Sequence, residues 1–98
     1  SFSAVICAND EMATGAIASA RELGLALPEQ LSVMGYDNVF FTRHIYPPLS
    51  TINYPINEMG KMAANWILNH VYQKQTEPLQ TMFEPSLVAR QSIKHCPQ

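Results

Sequence analysis

Charge is scarce in this chain. Asp, Glu, Lys and Arg make up 14% of its 98 residues, the formal net charge is −2, and the six Lys and Arg are scattered along the sequence. Direct DNA binding by this segment would need a clustered basic face to neutralise phosphates, and the sequence offers none. Glycine is scarce too. Gly15, Gly24, Gly35 and Gly60 lie too far apart for a dinucleotide fingerprint or a Walker loop. No stretch approaches the roughly 20 apolar residues of a membrane span. The start, Ser1-Phe2-Ser3, lacks the basic region, apolar run and small-residue cleavage site of a secretory signal. The chain opens almost directly on a strand of buried type, so a late portion of a longer protein is expected. Cys7 and Cys96 are too few for a disulfide framework, which favours a reducing cytoplasm. Cys7 is expected as a small core residue, and a Cys7–Cys96 bridge is left open. His44, His70 and His95 fall in no metal-ligand spacing, and no Gly-x-Ser-x-Gly elbow occurs. No catalytic residue, metal or cofactor is therefore expected.

What remains is an ordinary globular composition, 47% hydrophobic, with room for at most one small domain. The run Ala4-Val5-Ile6-Cys7-Ala8 predicts a buried strand, and Asp10 an N-cap opening a helix to about Leu23. Met12, Ala16, Ala20 and Leu23 form its apolar stripe, with Ala13 and Ile17 beside it. Gly24 and Pro28 end it. A second strand over 31–36 completes a βαβ unit, hence a parallel sheet. A short irregular helix is expected over 38–46, then an extended stretch over 49–54 set up by Pro47-Pro48. Pro55 opens a long helix to about Val71, at the position where a missing N–H matters least. Ile56, Met59, Ala63, Trp66, Ile67 and His70 line one face of it, and Trp66 and the methionines read as core. A polar turn over 73–78, short strands at Met82-Phe83 and Leu87-Val88, and a frayed tail from Lys94 complete the pattern.

Two polar clusters stand where strands should end: Asn9-Asp10, and Gly35-Tyr36-Asp37-Asn38. In open α/β sheets ligands bind beyond the carboxyl ends of the strands. A sugar suits Asn and Asp, because an amide donates and accepts while a carboxylate accepts at two oxygens. An aromatic ring covers the sugar's C–H face. Asn9, Asp37 and Tyr54 follow three successive extended segments and fit those roles. The plainer readings stand beside this one: Asp10 as a helix cap, Asn9 as a turn residue, Asp37-Asn38 as the cap of the next short helix, Tyr54 as core, and Arg90 as a solvated charge at a strand edge.

The ordered set Cys7-Ala-Asn-Asp-Glu-Met-Ala-Thr-Gly-Ala16, Gly24-Leu-Ala-Leu-Pro28, Leu31-Ser-Val-Met-Gly-Tyr-Asp-Asn38, Pro47-Pro-Leu-Ser-Thr-Ile52, Tyr54-Pro-Ile56 and Pro85-Ser-Leu-Val-Ala-Arg90-Gln-Ser spans essentially the whole chain. It resembles the carboxyl-terminal part of the lactose/galactose repressor family of bacterial transcription regulators. Tyr54-Pro-Ile and Leu87-Val-x-Arg-x-Ser are most like the galactose repressor and isorepressor branch, whereas Asn53 departs from the basic residue favoured there.

The resemblance implies an α/β fold, a parallel sheet with flanking helices, as an incomplete part of a two-lobed core like that of periplasmic sugar-binding proteins. Residues 1–53 and 86–98 would belong to one lobe and 54–85 to the other. A sugar effector, galactose-like or another hexose or glycoside, would bind in the interlobe cleft through Asn9, Asp10, Asp37 and Tyr54. Thr14, Ala18, Phe41, His44 and Ile45 would lie in a homodimer interface. Operator DNA would be reached only through an amino-terminal helix-turn-helix outside this chain, and no membrane is involved. The rival is a periplasmic sugar-binding protein of a transport system, which shares lobes and cleft. A third reading makes the isolated 98 residues an interaction fragment without ligand competence.

Overall fold

The computed structural model describes residues 1–75 and 78–96. Thr76 and Glu77 of the expected polar turn, and Pro97 and Gln98 of the expected tail, lie outside the described residues. The chain divides into two compact units, one of residues 1–53 and 86–98, the other of residues 54–85.

In the first unit, β1 (Ala4–Ile6) leads into helix α1 (Asp10–Glu22) and then β2 (Ser32–Met34). The two strands pair in parallel with Val5 opposite Val33, as the βαβ pattern requires. A single-turn 3₁₀ helix, Phe40–Arg43, precedes β3 (Thr51–Asn53), which pairs antiparallel with β4 (Ser86–Val88). A parallel bridge between Met34 and Ser50 joins the two pairs. It is reinforced by the N–H groups of Gly35 and Asp37 donating to Ser50 O and Ile52 O.

The helix buries Ala20 of the expected stripe with Ala13 and Ile17 from beside it, rather than Met12 and Leu23. Asp10, Ala13, Ile17 and Ala20 face inward, packing on Leu31, Val33 and Leu49, while Met12 and Leu23 are exposed. The inward-pointing Asp10 sets this rotation, because positions 10, 13, 17 and 20 share one face at helical spacing. Two of the four are alanine, so the helix lies close to β2. Its end follows the sequence signal. Gly24 takes φ +77°, its N–H bonds Arg21 O and Leu25 N–H bonds Ala20 O, the reciprocal pattern of a Schellman cap.

Other expectations are corrected. β1 is shorter than 4–8 and not buried, with Ile6 77% exposed, since among the described residues it pairs with β2 alone. Cys7 is half-buried and packed on the core, with no disulfide to Cys96. Met82-Phe83 forms no strand. The tail is anchored at Lys94, whose N–H bonds Ser32 Oγ and whose ammonium bonds Glu29 O.

The second unit holds helix α2 (Ile56–His70), with Pro55 as the N-cap residue rather than the first helical one. The helix buries none of its residues. Trp66 is 49% exposed and stacks on His70 at 4.4 Å. Met59, Met62, Trp66, Leu79 and Phe83 line an open apolar groove of about 300 Å³. The apolar stripe read as core is thus left largely uncovered by the described residues of this unit.

Gly35 is the tightest point of the first unit. A Cβ there would collide with Asp10 Oδ1 and press on Leu49 Cδ2. Gly35→Ala should destabilise the protein by about 1–3 kcal/mol, the range for overpacking a filled core. Urea unfolding checks this, with a lower midpoint and an unchanged slope expected.

Candidate functional site

Asn9 follows the carboxyl end of β1, and Asp37 follows that of β2. The two loops are tied by Asp10 N–H donating to Tyr36 O at 3.0 Å. Asn9 and Asp37 each sit one residue from that bond, so parallel pairing brings them to one edge of the first unit. Tyr54 belongs to the second unit, as its half-buried first residue, its carbonyl accepting Ile56 N–H.

The cap of α1 is Asn9, not Asp10. Asn9 is extended at φ −153° and its Oδ1 accepts Met12 N–H at 2.8 Å. Its two amide donors make no bond to the described residues. Asp10 is the first helical residue and is completely buried. Its Oδ2 accepts Val39 N–H at 2.8 Å and its Oδ1 accepts the Thr51 hydroxyl at 2.6 Å. Each carboxylate oxygen is therefore engaged, at the favourable end of the helix dipole. This corrects the expectation of Asp10 as an effector contact, since the side chain presents no surface to a ligand. It holds the 37–39 loop and β3 against α1 instead.

Asp37 and Asn38 both adopt positive φ, +121° and +59°. Asn tolerates the left-handed region, but +121° is strained for an aspartate, by on the order of 1–3 kcal/mol. Such a residue persists only where its surroundings over-determine it. Asp37 N–H donates to Ile52 O, Asn38 N–H to Thr51 Oγ1 and Val39 N–H to Asp10. The carboxylate of Asp37, half-buried, makes no hydrogen bond or ion pair with the described residues. The edge thus carries an amide with two spare donors and a carboxylate with two spare acceptor oxygens. Just behind, burial pushes the Cys7 thiol above its ordinary pKa.

Sequence reasoning missed Arg90 and Ser92. Arg90 is not a solvated edge charge. Its Nη1 donates to Thr42 Oγ1 and Leu49 O, and its Nη2 to Asn38 Oδ1, each at 2.8 Å. Buried Ser92 donates to Val33 O and accepts Ser50 N–H. β4 ends at Val88 and the chain bends over 91–93, so no strand period marked either residue.

The residues expected at a dimer interface lie in the first unit. Thr14 is half-buried and donates to Asp10 O. Ala18 and His44 are exposed, Phe41 is half-buried, and Ile45 packs partly on the core. The Arg21 guanidinium sits 5.4 Å from the Tyr46 ring centroid, joining α1 to the 40–46 segment. Among the described residues no group of three or more His, Cys, Asp or Glu could share a metal ion. No helix there is long and apolar enough to cross a membrane.

Residues 3–93 match the family model of the periplasmic binding protein-like domain. The HTH-type transcriptional repressor PurR of Escherichia fergusonii is 40% identical over 96% of this chain, which spans 28% of that protein. A sugar-binding LacI-family transcriptional regulator from Escherichia coli, crystallised with phosphate, superposes with a TM-score of 0.83 at 34% identity, over 94% of this chain and 33% of that one. A LacI-family regulator from Lactobacillus casei with bound sucrose superposes at 0.82 and 31% identity, over 92% of this chain and 33% of that one. The chain therefore spans about three-tenths of the length of the relatives it matches. Their names are those of transcriptional regulators. The resemblance to the repressor family stands on them, while the galactose branch is not singled out.

Replacing Thr51 by the isosteric Val removes one donor to buried Asp10 and the acceptor of Asn38 N–H. A loss of about 1–3 kcal/mol is expected in thermal or urea unfolding.

Proposed function

The chain belongs to the periplasmic binding protein-like domain family, and from that premise we propose that it is the effector-sensing and dimerisation segment of a sugar-responsive, DNA-binding transcriptional repressor working in the bacterial cytoplasm. One observation carries the effector site: among the described residues, the Asn9 amide donors and the Asp37 carboxylate are unspent on internal bonds at the carboxyl ends of adjacent parallel strands. That donor and acceptor pair suits vicinal hydroxyls. Tyr54, contributed by the second unit, is assigned the aromatic contact. Residues 1–53 with 86–98, and 54–85, are taken as portions of two lobes. The effector acts by its differential affinity for two lobe arrangements, which changes how the protein presents its DNA-binding region. The regulator names of the matched relatives support this reading over a transport protein.

A thermal-shift titration of the protein against galactose, glucose, sucrose, adenine and guanine tests the site. An effector at 100 times its Kd should stabilise by roughly 2.7 kcal/mol. Asp37→Ala should remove the shift. Asn9→Asp should remove it too while leaving unliganded stability within about 0.5 kcal/mol, because Asp caps a helix as well as Asn does. A sugar shift that persists in both variants refutes the site.

The dimer surface is assigned to the exposed side of α1 around Thr14 and Ala18 with the 40–46 segment, where Phe40 is 80% exposed. Ala18→Glu should convert a dimer into a monomer in sedimentation equilibrium. An unchanged mass would place the interface elsewhere.

A further inference from the structure

We propose that Arg90 is a positioning residue for effector recognition, acting through Asn38 to hold Asp37 in its strained, ligand-facing conformation. The proposal rests on the Asp37 site described above and goes beyond it in naming what makes that site rigid.

The loop after β2 has two clamps. From the α1 side, Asp10 accepts Val39 N–H. From the other side, the planar guanidinium of Arg90 bonds Asn38 Oδ1, Thr42 Oγ1 and Leu49 O at once. Asn38 relays this hold. Its Nδ2 donates to Asn53 Oδ1 at 3.2 Å and its N–H to Thr51 Oγ1 at 3.3 Å. The side chain of Asn38 is thus oriented from two directions, and its left-handed φ fixes the peptide it shares with Asp37. A rigid fork serves these three acceptors from two nitrogens held in fixed geometry. Lysine, a flexible point donor, cannot reproduce it. The three acceptors are neutral, and among the described residues no carboxylate pairs with Arg90. The charge is therefore spent on the geometry of this loop rather than on an ion pair. Arg90 lies 53 positions after Asp37 in the chain, and its own N–H is fixed by Ser50 Oγ, so its reach to the loop is set by the β3–β4 pairing.

The test compares Arg90→Gln, Arg90→Lys and Asn38→Gly with Ser92→Ala, a control that breaks a buried tie from the same segment to Ser50 and Val33 without touching the loop. Binding of galactose and of sucrose is measured by calorimetry on the full-length protein, and amide exchange is measured at Asn38 and Val39. Both Arg90 variants should raise the Kd of the sugar that binds at least tenfold and speed both amides by a similar factor. The Arg90→Gln/Asn38→Gly double variant should bind no more weakly than the poorer single variant, because the two share one path. Ser92→Ala should lower the melting temperature with Kd and both amides unchanged. Normal binding or unchanged exchange in Arg90→Lys overturns the proposal, as does a Ser92→Ala variant that loses affinity in proportion to its stability. If Asp37→Ala binds as the unaltered protein does, the Asp37 site fails and the role of Arg90 in binding fails with it. If neither sugar binds, exchange at Asn38 and Val39 decides whether Arg90 holds the loop.

Discussion

A single buried carboxylate organises the first unit. Asp10 is the first residue of α1, and its two oxygens reach a backbone N–H in the following loop and a hydroxyl on β3, residues 29 and 41 positions away. A buried carboxylate is costly unless its oxygens are hydrogen-bonded, so the groups around it are constrained. The residue opposite must lack a Cβ, which Gly35 does. The helix must turn Ala13, Ile17 and Ala20 toward the sheet. The loop after β2 must offer Val39 N–H inward, and that forces the chain through two consecutive positive φ values.

The same constraint divides two adjacent residues. Asn9 and Asp10 differ by one position, but the helix start sends the Asp10 side chain into the core and leaves the Asn9 amide at the edge. Asn9 uses one oxygen to cap the helix and keeps its donors. In the second loop the division recurs. Asn38 is spent on internal bonds, whereas Asp37 is held open by them. Residues that bond inward hold this edge, and their neighbours keep polar groups that no described residue engages.

The closing segment completes this arrangement from a distance. Arg90 and Ser92 return along the edge formed by Ser50 and Val33 and bond residues up to 59 positions earlier. These ties give each part of Leu87-Val-x-Arg-x-Ser a structural place. The valine is in β4, the arginine holds the loop carrying Asp37, and the serine seals the junction of β2 and β3.

Local features were legible because their causes are local. Gly24 needs only its own φ and the two carbonyls behind it to end α1, and the βαβ pattern with apolar runs at 4–8 and 31–36 is enough to require parallel pairing. The placement of Asn9 and Asp37 at one strand edge follows from that pairing, so the candidate site was legible as well. What stayed hidden depends on partners remote in sequence. Asp10 and Asn9 are equally good caps by type, and only Thr51 and Val39, brought in by the fold, decide which one turns inward. Arg90 reads as a surface charge until the 38–49 segment supplies three acceptors. Trp66 and the stripe on α2 read as core because periodicity reports an apolar face but not whether anything in the unit covers it. The sequence by itself determined both helices, the βαβ order and the residue types at the strand ends, since these follow from propensity, capping and period. The tertiary structure alone decided which polar groups are consumed internally and which are left over, since a hydrogen bond is assigned only when both partners have a position.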